Sequence, residues 1–322
     1  MSFWSAKRHV LRPETARFAQ RSVKRQKHQH FIPAIKNTSD MSVKKYIKRV
    51  GKYLLNGIPE YHITASISTI APNELLKGRK IIVTGGSRGL GYAMAKRFSE
   101  QGADVLIAGR NEETLKQSAQ QIHCKYLVLD VRDVNSFQTF IDKSVTLLGK
   151  IDSLVCNAGI SLHEKDFFHI TQESFEDQIN TNLRSNVFLA QKFISFVISK
   201  NIEANILFIS SEVGELADNR PYGWTKSALN SLVRGLASNF TGNGIRINAI
   251  SPGITCSDMT GLNSNGNLYI QTNATKRAYL PEEIAEVATF LLSDCSKCIS
   301  GQIIVCNNGK TIYTREKIEK HG

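Results

Sequence analysis

The sequence predicts an α/β fold: a doubly wound parallel sheet of seven strands, built as a single domain behind a basic N-terminal extension. From residue 79 onward, short β-rich runs alternate strictly with helical segments, and the first run leads straight into a glycine-rich turn and a helix. The scale agrees, since 322 residues at 41% hydrophobic and 21% charged give an ordinary globular chain with room for one large domain plus an appendage. That composition excludes a wholly disordered, collagen-like or disulfide-scaffold chain. No stretch reaches the roughly 18 uncharged apolar residues of a membrane-spanning helix. The run 187–198 is interrupted by Gln191 and Lys192.

The extension carries the charge. Residues 1–60 hold 14 Lys/Arg against three acids (Glu14, Asp40, Glu60), whereas 61–322 hold 27 against 25, so most of the net charge of +13 sits in the head. Residues 1–40 read as a mitochondrial targeting segment, which predicts a matrix location. Arg, Lys, Gln and His dominate there, and Phe3, Trp4, Val10, Leu11 and Phe18 fall within an arc of about 120° on a helix. Lys7 and Glu14 also fall inside that arc and Pro13 interrupts it, which leaves a disordered basic tail as the alternative. Residues 41–77 hold a cleaner amphipathic helix, 42–56, and a linker. Val43, Ile47, Val50 and Leu54 recur at helical spacing among Lys44, Lys45, Lys48, Arg49 and Lys52, with Asp40 or Ser42 to cap the start and Gly57 and Pro59 to end it. Such a helix suits an anionic membrane surface or RNA phosphates. A long presequence or a solvated helix accounts for it equally well.

In the body, residues 78–310, strands are expected at 80–83, 104–107, 125–129, 153–156, 205–209, 246–250 and 302–305. Helical periodicity fills the gaps at 91–101, 111–121, 134–148, 182–199, 222–239 and 282–292, and 311–322 form a tail. All six cysteines lie in this neutral body, and no secretory signal is evident, which predicts free thiols in a reducing compartment. Cys295 and Cys298 form a lone C-x-x-C without the further ligands zinc needs, so no metal is expected.

The first strand runs into Thr84-Gly85-Gly86-Ser87-Arg88-Gly89-Leu90-Gly91 and then a helix. Glycines there permit a tight turn and let backbone N–H groups approach a pyrophosphate, which the helix N-terminus further stabilises. The placement is that of a Rossmann-type dinucleotide site rather than a plain turn. About 20 residues on, where NAD enzymes often carry an acid for the ribose 2′-hydroxyl, the chain has Ala108-Gly109-Arg110-Asn111. Arg110, with Arg88 in the loop, suits the 2′-phosphate of NADPH/NADP+. A solvated helix-cap residue is the plainer reading of Arg110.

Tyr222-Gly223-Trp224-Thr225-Lys226 places a phenol and an ammonium on one helix face. Ser210-Ser211 ends one strand and Asn157-Ala158-Gly159 ends an earlier one, and in a doubly wound sheet such ends share the ligand-binding edge. A cation about 4.5 Å from the phenol, at an effective dielectric of about 20, is worth roughly 3 to 4 kcal/mol. Lys226 is therefore expected to lower the Tyr222 pKa.

Together with the T-G-x-x-x-G-x-G loop, these residues resemble the short-chain dehydrogenase/reductase family. The resemblance runs on through Asn180-Thr181-Asn182-Leu183, Ile247-Asn248-Ala249-Ile250-Ser251-Pro252-Gly253, Pro281-Glu282-Glu283-Ile284-Ala285 and Ser300-Gly301-Gln302, in the family's order. It implies Tyr222 as general acid, Ser211 as the group orienting the carbonyl, Lys226 on the nicotinamide ribose, and Asn182 completing a proton relay. Ser211 stands three residues before Gly214, as the family serine stands before a glycine; Ser210 is the alternative. The resemblance also implies cofactor contacts at Gly85, Ser87, Arg88, Gly89, Leu90, Gly91 and Arg110, at Asp130 and Val131 for the adenine, at Asn157, Ala158 and Gly159, and at Pro252, Gly253, Thr255 and Ser257. Two departures stand out. Ser211 to Tyr222 spans 11 residues, about two fewer than usual, and Asn307-Asn308-Gly309 replaces the customary Asp-Gly-Gly.

Within the family, Ser257-Asp258-Met259-Thr260, Arg277 before Pro281-Glu282-Glu283, and the Ser300-Gly301-Gln302 strand look most like 3-oxoacyl-[acyl-carrier-protein] reductases. With the targeting-like head this implies the reductive step of mitochondrial fatty-acid synthesis on an acyl-thioester substrate. Lys192, Lys200, Arg246, Lys276 and Arg277 are the candidate docking cations for an acidic acyl carrier protein, and the polar segment 261–275 the expected substrate cover. Two other readings stay open: an NADPH carbonyl reductase of a free ketone, steroid or sugar, and a non-catalytic organellar RNA or ribosome partner using 42–56. The resemblance implies a homotetramer or homodimer formed through the helices 182–199 and 222–239.

Overall fold

The computed structural model describes residues 73–312, together with Gly51, Leu55 and Thr64. The targeting segment, nearly all of the basic helix 42–56, and the tail beyond 312 lie outside the described residues. The unit from Glu60 onward holds the sheet.

The described chain runs β1 (Lys80–Thr84), α1 (Gly89–Glu100), β2 (Asp104–Gly109), α2 (Glu112–Ile122), β3 (Lys125–Val128), α3 (Phe137–Leu148), β4 (Ser153–Cys156), α4 (Gln172–Gln178), α5 (Ser185–Ser199), β5 (Ala204–Ile209), α6 (Pro221–Phe240), β6 (Ile245–Pro252), α7 (Pro281–Leu292) and β7 (Ile303–Cys306). All seven strands are parallel, in the order β3-β2-β1-β4-β5-β6-β7. The order turns about β1, whose register pairs Lys80 with Asp104 on one side and Ile81 with Ser153 on the other. The crevice beyond the carboxyl ends of β1 and β4 is the place where such sheets bind ligands.

Both faces of the sheet are covered, which is why its strands read as nearly continuous apolar runs. Because side chains alternate along a strand, Ile82, Leu106, Leu154, Ile206 and Ile247 pack under α3, α5 and α6. Ile81, Val83, Val105, Val155, Leu207 and Ile250 pack under α1, α2 and α7 on the opposite face. Phe137, Phe193 and Phe208 fill the first layer, and Met94, Phe98 and Leu115 the second.

Two local features differ from expectation. The helix expected from residue 182 begins at Ser185, after a separate short helix, Gln172–Gln178, and a π-helical turn, Ile179–Arg184. Thr171 and Ser174 exchange the two hydrogen bonds of a capping box, which starts α4 in a polar stretch with little apolar periodicity. Arg246 is the second correction. Its guanidinium donates to the carbonyls of Leu291, Ser293, Ser296 and Ile299 at 2.9–3.3 Å. It thereby satisfies carbonyls at the end of α7 and in the turn leading to β7. Arg246 is a structural cap rather than a docking cation.

Candidate active site

The site forms where β1, β4, β5 and β6 end. After Thr84, Gly85 and Gly89 take φ of +64° and +54°, which only glycine adopts freely. A Cβ on Gly91 would lie 2.1 Å from the carbonyl oxygen of Gly85, so the first turn of α1 packs directly on the loop. Arg88 is the N-cap of α1 and its side chain caps nothing, which leaves the N–H groups of the first turn without a side-chain acceptor. Gly89 faces Ser257, whose Cβ lies 3.7 Å from the place a Cβ would take. Open glycine backbone, a helix N-terminus without a side-chain cap and nearby Arg88 fit a dinucleotide pyrophosphate.

Asn157 and Ala158 hold this loop from the β4 side. Asn157 donates through Nδ2 to the carbonyls of Thr84 and Gly85 at 2.9 and 3.0 Å, and the Asn157 and Ala158 N–H groups donate to Thr84 Oγ1 at 3.0 and 3.2 Å. Ser118 Oγ donates to the Ser87 carbonyl at 2.8 Å, and Leu90 is half-buried. Gly91→Ala must therefore displace backbone. The expected result is loss of nicotinamide-dinucleotide binding by at least about 100-fold, with destabilisation of about 2 kcal/mol or more, read by fluorescence titration and thermal melting.

At the adenosine end, Arg110 is exposed just past β2, and Val131 is buried. Asp130 pairs with Arg132 at 2.9 Å, and that hydrogen bond holds its carboxyl below the usual range. At the other end, Pro252 closes β6 opposite Cys306, Thr255 is buried with Oγ1 donating to the Gly253 carbonyl at 2.9 Å, and Ser257 lies near Thr260.

The four side chains expected to do chemistry converge between these ends. Lys226 is 4% exposed and donates through Nζ to the Ile209 carbonyl at 2.8 Å, with Nζ 5.5 Å from the centre of the Tyr222 ring. Ser211 is the side chain that acts on the Tyr222 phenol, drawing its pKa down. Asn182, buried in the π-turn, accepts from the Ile160 N–H and donates to the Ile160 carbonyl, both at 2.8 Å. A Cβ on Gly159 would lie 3.3 Å from Asn182 Oδ1 and 3.7 Å from Lys226 Nζ, so glycine keeps that approach open. Of the two serines, Ser210 turns into the core and donates to Asn230 Oδ1 at 2.6 Å, whereas Ser211 faces Tyr222.

The electrostatics correct one expectation. Burial pushes the Tyr222 phenol up, only partly offset by the Ser211 side chain, and burial pulls Lys226 down to about 8. Lys226 was expected to lower the phenol. At this separation, desolvation of both groups outweighs their mutual effect.

Several neighbours escaped sequence reasoning. Ser251 Oγ donates to the Ser211 carbonyl at 2.6 Å. In the shortened 211–222 connection, Asp218 occupies the space beside Gly223, where a Cβ would meet the Asp218 Cβ at 2.4 Å, and accepts at its carbonyl from Trp224 Nε1 at 2.8 Å. Phe167, Phe168, Phe175 and Trp224 form an exposed cluster of ring contacts next to this turn. The segment after β6 lies over the glycine loop through an exposed Arg88–Asp258 pair at 3.0 Å, and its Met259 carbonyl lies 2.9 Å from a His163 ring nitrogen. Arg277 bonds both oxygens of Glu283 at 2.5 and 2.7 Å, so it braces this segment rather than facing a partner, a further correction.

The profile of a family described as enoyl-(acyl carrier protein) reductase matches residues 85–311, the whole of this architecture beyond β1. The chain belongs to the short-chain dehydrogenase/reductase family. As a member it is an oxidoreductase acting between CH–OH and C=O. Among its relatives in that family, an L-rhamnose 1-dehydrogenase (NADP(+)) of Thermoplasma acidophilum is 32% identical over 73% of this chain and 97% of its own. A 3-oxoacyl-[acyl-carrier-protein] reductase FabG of Chlamydia muridarum is 34% identical over 74% and 99%. A 3alpha-hydroxysteroid dehydrogenase of Mediterraneibacter gnavus is 31% identical over 71% and 96%. Among solved structures, a short-chain type dehydrogenase/reductase from Mycobacterium marinum superposes with a TM-score of 0.69 at 27% identity, covering 74% of this chain and 97% of that one.

Proposed function

We propose that the protein reduces a 3-oxoacyl thioester, presented on acyl carrier protein, to the 3-hydroxyacyl thioester with NADPH, as a step of mitochondrial fatty-acid synthesis. The observation that carries the reading is the convergence of the half-buried Ser211 and Tyr222 with the buried Lys226 at the carboxyl edge of the sheet. The FabG relatives supply the substrate class. The loop Gly85–Gly91 would hold the pyrophosphate, Arg88 and Arg110 the 2′-phosphate, Asp130 and Val131 the adenine, and Pro252, Gly253, Thr255 and Ser257 the nicotinamide end, with Gly159 leaving room beside Lys226. Bound there, NADPH supplies the hydride for C3.

The chain supplies the rest. Ser211 donates to the substrate carbonyl and fixes its oxygen against the phenol. Tyr222 gives its proton to that oxygen as the hydride arrives. A phenol kept protonated by burial is the right form for a general acid at neutral pH, and the Lys226 cation stabilises the phenolate that remains. Lys226 holds the nicotinamide ribose, and Asn182, fastened to Ile160, holds the relay that returns a proton to the phenol. With Arg246 and Arg277 committed within the fold, Lys192 on α5, Lys200 just past its end and the exposed Lys276, which donates to the Gln271 carbonyl, are the cations left for the carrier protein's acids. The basic head would direct the chain to the matrix, and α5 and α6 would join subunits into a dimer or tetramer.

The rhamnose and hydroxysteroid relatives favour a second reading, reduction of a free sugar or steroid carbonyl. Full-length protein assayed with acetoacetyl-CoA, L-rhamnose and a 3-ketosteroid, each with NADPH and NADH (or the oxidised forms), separates the two. The expected result is thioester reduction preferring NADPH. Turnover of the sugar or steroid alone would move the assignment to the second reading. Arg110→Ala should raise KM for NADPH about tenfold and leave NADH unaffected, as loss of one charge-assisted phosphate contact implies.

A further inference from the structure

Two exposed cysteines take no part in the site described above. Cys124, Cys156, Cys256 and Cys306 are buried or half-buried, and burial pushes each of these thiols up, Cys124 and Cys306 to about 11. Cys295 and Cys298 are exposed. They sit on the turn between α7 and β7, at the amino end of β7 and so at the edge of the sheet opposite the cofactor crevice. The turn is a short 3₁₀ helix, Asp294–Ser296, closed by Lys297 at φ −55° and ψ −27°, so both residues between the cysteines keep the 3₁₀ conformation. There, side chains three residues apart eclipse, and a rise of about 2 Å per residue sets the two Cα atoms about 6 Å apart, inside the range a disulfide spans. The backbone is held from within: Ser296 Oγ donates to the Leu291 and Ser293 carbonyls at 2.9 and 3.1 Å, and Arg246 and Asn248 donate to the Ile299 carbonyl at 3.3 and 2.9 Å. These bonds fix the inner face of the turn and leave its outer face to the thiols.

We propose that Cys295 and Cys298 are a reversible oxidation site, closed to an intramolecular disulfide by hydrogen peroxide and reopened by a dithiol. The surroundings suit the chemistry. Arg246 lies within electrostatic reach of Cys298, Arg79 acts on Arg246, and Lys297 stands between the cysteines, while Asp294 pairs with both Arg79 and Lys297. Three cations thus meet one acid, and a cation beside an accessible thiol favours the thiolate, the form that attacks peroxides and disulfides. One thiolate attacks a peroxide oxygen; the O–O bond breaks, the other oxygen leaves as water once protonated, and the sulfur, oxidised by two electrons, becomes a sulfenic acid. The second thiol attacks that sulfur, the S–S bond forms, the S–O bond breaks, and a second water leaves. In sum, two thiols and one hydrogen peroxide give one disulfide and two waters. A turn that already holds both thiols on one side makes this second attack faster than further oxidation of the first sulfur. The inference stands apart from the reduction proposed above, whose groups lie at the other edge of the sheet.

The test gives the reduced full-length protein a slight molar excess of hydrogen peroxide, alkylates the thiols that remain, and analyses tryptic peptides by mass spectrometry. Cleavage after Lys297 puts the cysteines on separate peptides, 278–297 and 298–310, so the bond is read directly as a link between them. The expected product is a single chain lighter by two hydrogens, with that link formed at least about tenfold faster than any of the other four thiols is lost, and removed by dithiothreitol. Peptide 298–310 also carries Cys306, so the link must persist in Cys306→Ser and vanish in Cys298→Ser. Should a variant fail to fold, fragment ions of the wild-type linked peptide locate the bond at Cys298 or Cys306 without it. Sulfinic acid on either cysteine without a link, chains joined to one another instead, both thiols still open to alkylation, or a bond at Cys306 would each overturn the proposal.

Discussion

Tyr222→Phe is expected to abolish carbonyl reduction, with kcat falling by at least about 10³-fold, while NADPH affinity and melting temperature stay near wild type. The phenol is the group with a proton to give at the convergence of Ser211, Lys226 and Asn182, and general-acid catalysis is worth on the order of 10²–10⁴. Removing one hydroxyl leaves the ring and its packing in place. Among the described residues, the side chain that acts on this hydroxyl is Ser211, whose Oγ still accepts weakly from the Val213 N–H at 3.5 Å. Steady-state rates with the thioester, beside NADPH titration and a thermal melt, check the result. A variant retaining a tenth of wild-type activity would remove Tyr222 from the chemistry.

Lys226→Met should cost activity and add stability. Burial holds the folded-state pKa at about 8 against an ordinary 10.5, so at neutral pH the fold carries a charge it would rather shed, a cost of about 3 kcal/mol. Methionine removes that cost but leaves the Ile209 carbonyl without its donor, which returns about 1 kcal/mol. The net gain is about 2 kcal/mol, a melting temperature higher by about 5 °C without cofactor, together with a fall of about 10²-fold or more in kcat. The sign with pH is specific. The lysine penalty is fully present below about 8 and disappears as pH rises toward 10.5, since the unfolded chain binds the extra proton in that window. The variant's advantage should therefore shrink over the same window, which melts from neutral to alkaline pH would show.

The sheet was legible because its inner strands are buried on both faces and so read as apolar runs bounded by helical periodicity, as in Lys80–Thr84 and Ala204–Ile209. The glycine loop was legible because Gly85, Gly89 and Gly91 answer backbone demands that do not depend on the rest of the chain. What depended on distant partners was not. Arg246 and Arg277 are cations on paper, and only the fold shows one capping carbonyls and the other locked to Glu283. Ser210 and Ser211 stayed alternatives until Asn230 claimed the first. Helix α4 hid because its stretch is polar with a single aromatic, Phe175, although its Thr171–Ser174 capping box was open to view. Glu212 finds Lys310 98 residues later, a pairing no local pattern announces. The balance of desolvation and attraction at Tyr222 likewise needed the burial of both groups, since spacing along a helix gives the attraction alone.

The central claim is that this site moves a hydride from NADPH to C3 of a 3-oxoacyl thioester. Its most direct test gives the full-length protein NADPH deuterated at the transferable nicotinamide position, together with a 3-oxobutyryl thioester on acyl carrier protein, and analyses the product by mass spectrometry. The account predicts a 3-hydroxybutyryl thioester carrying deuterium at C3, formed by wild type and not by Tyr222→Phe. Unchanged 3-oxobutyryl thioester after incubation with protein that binds NADPH would contradict it.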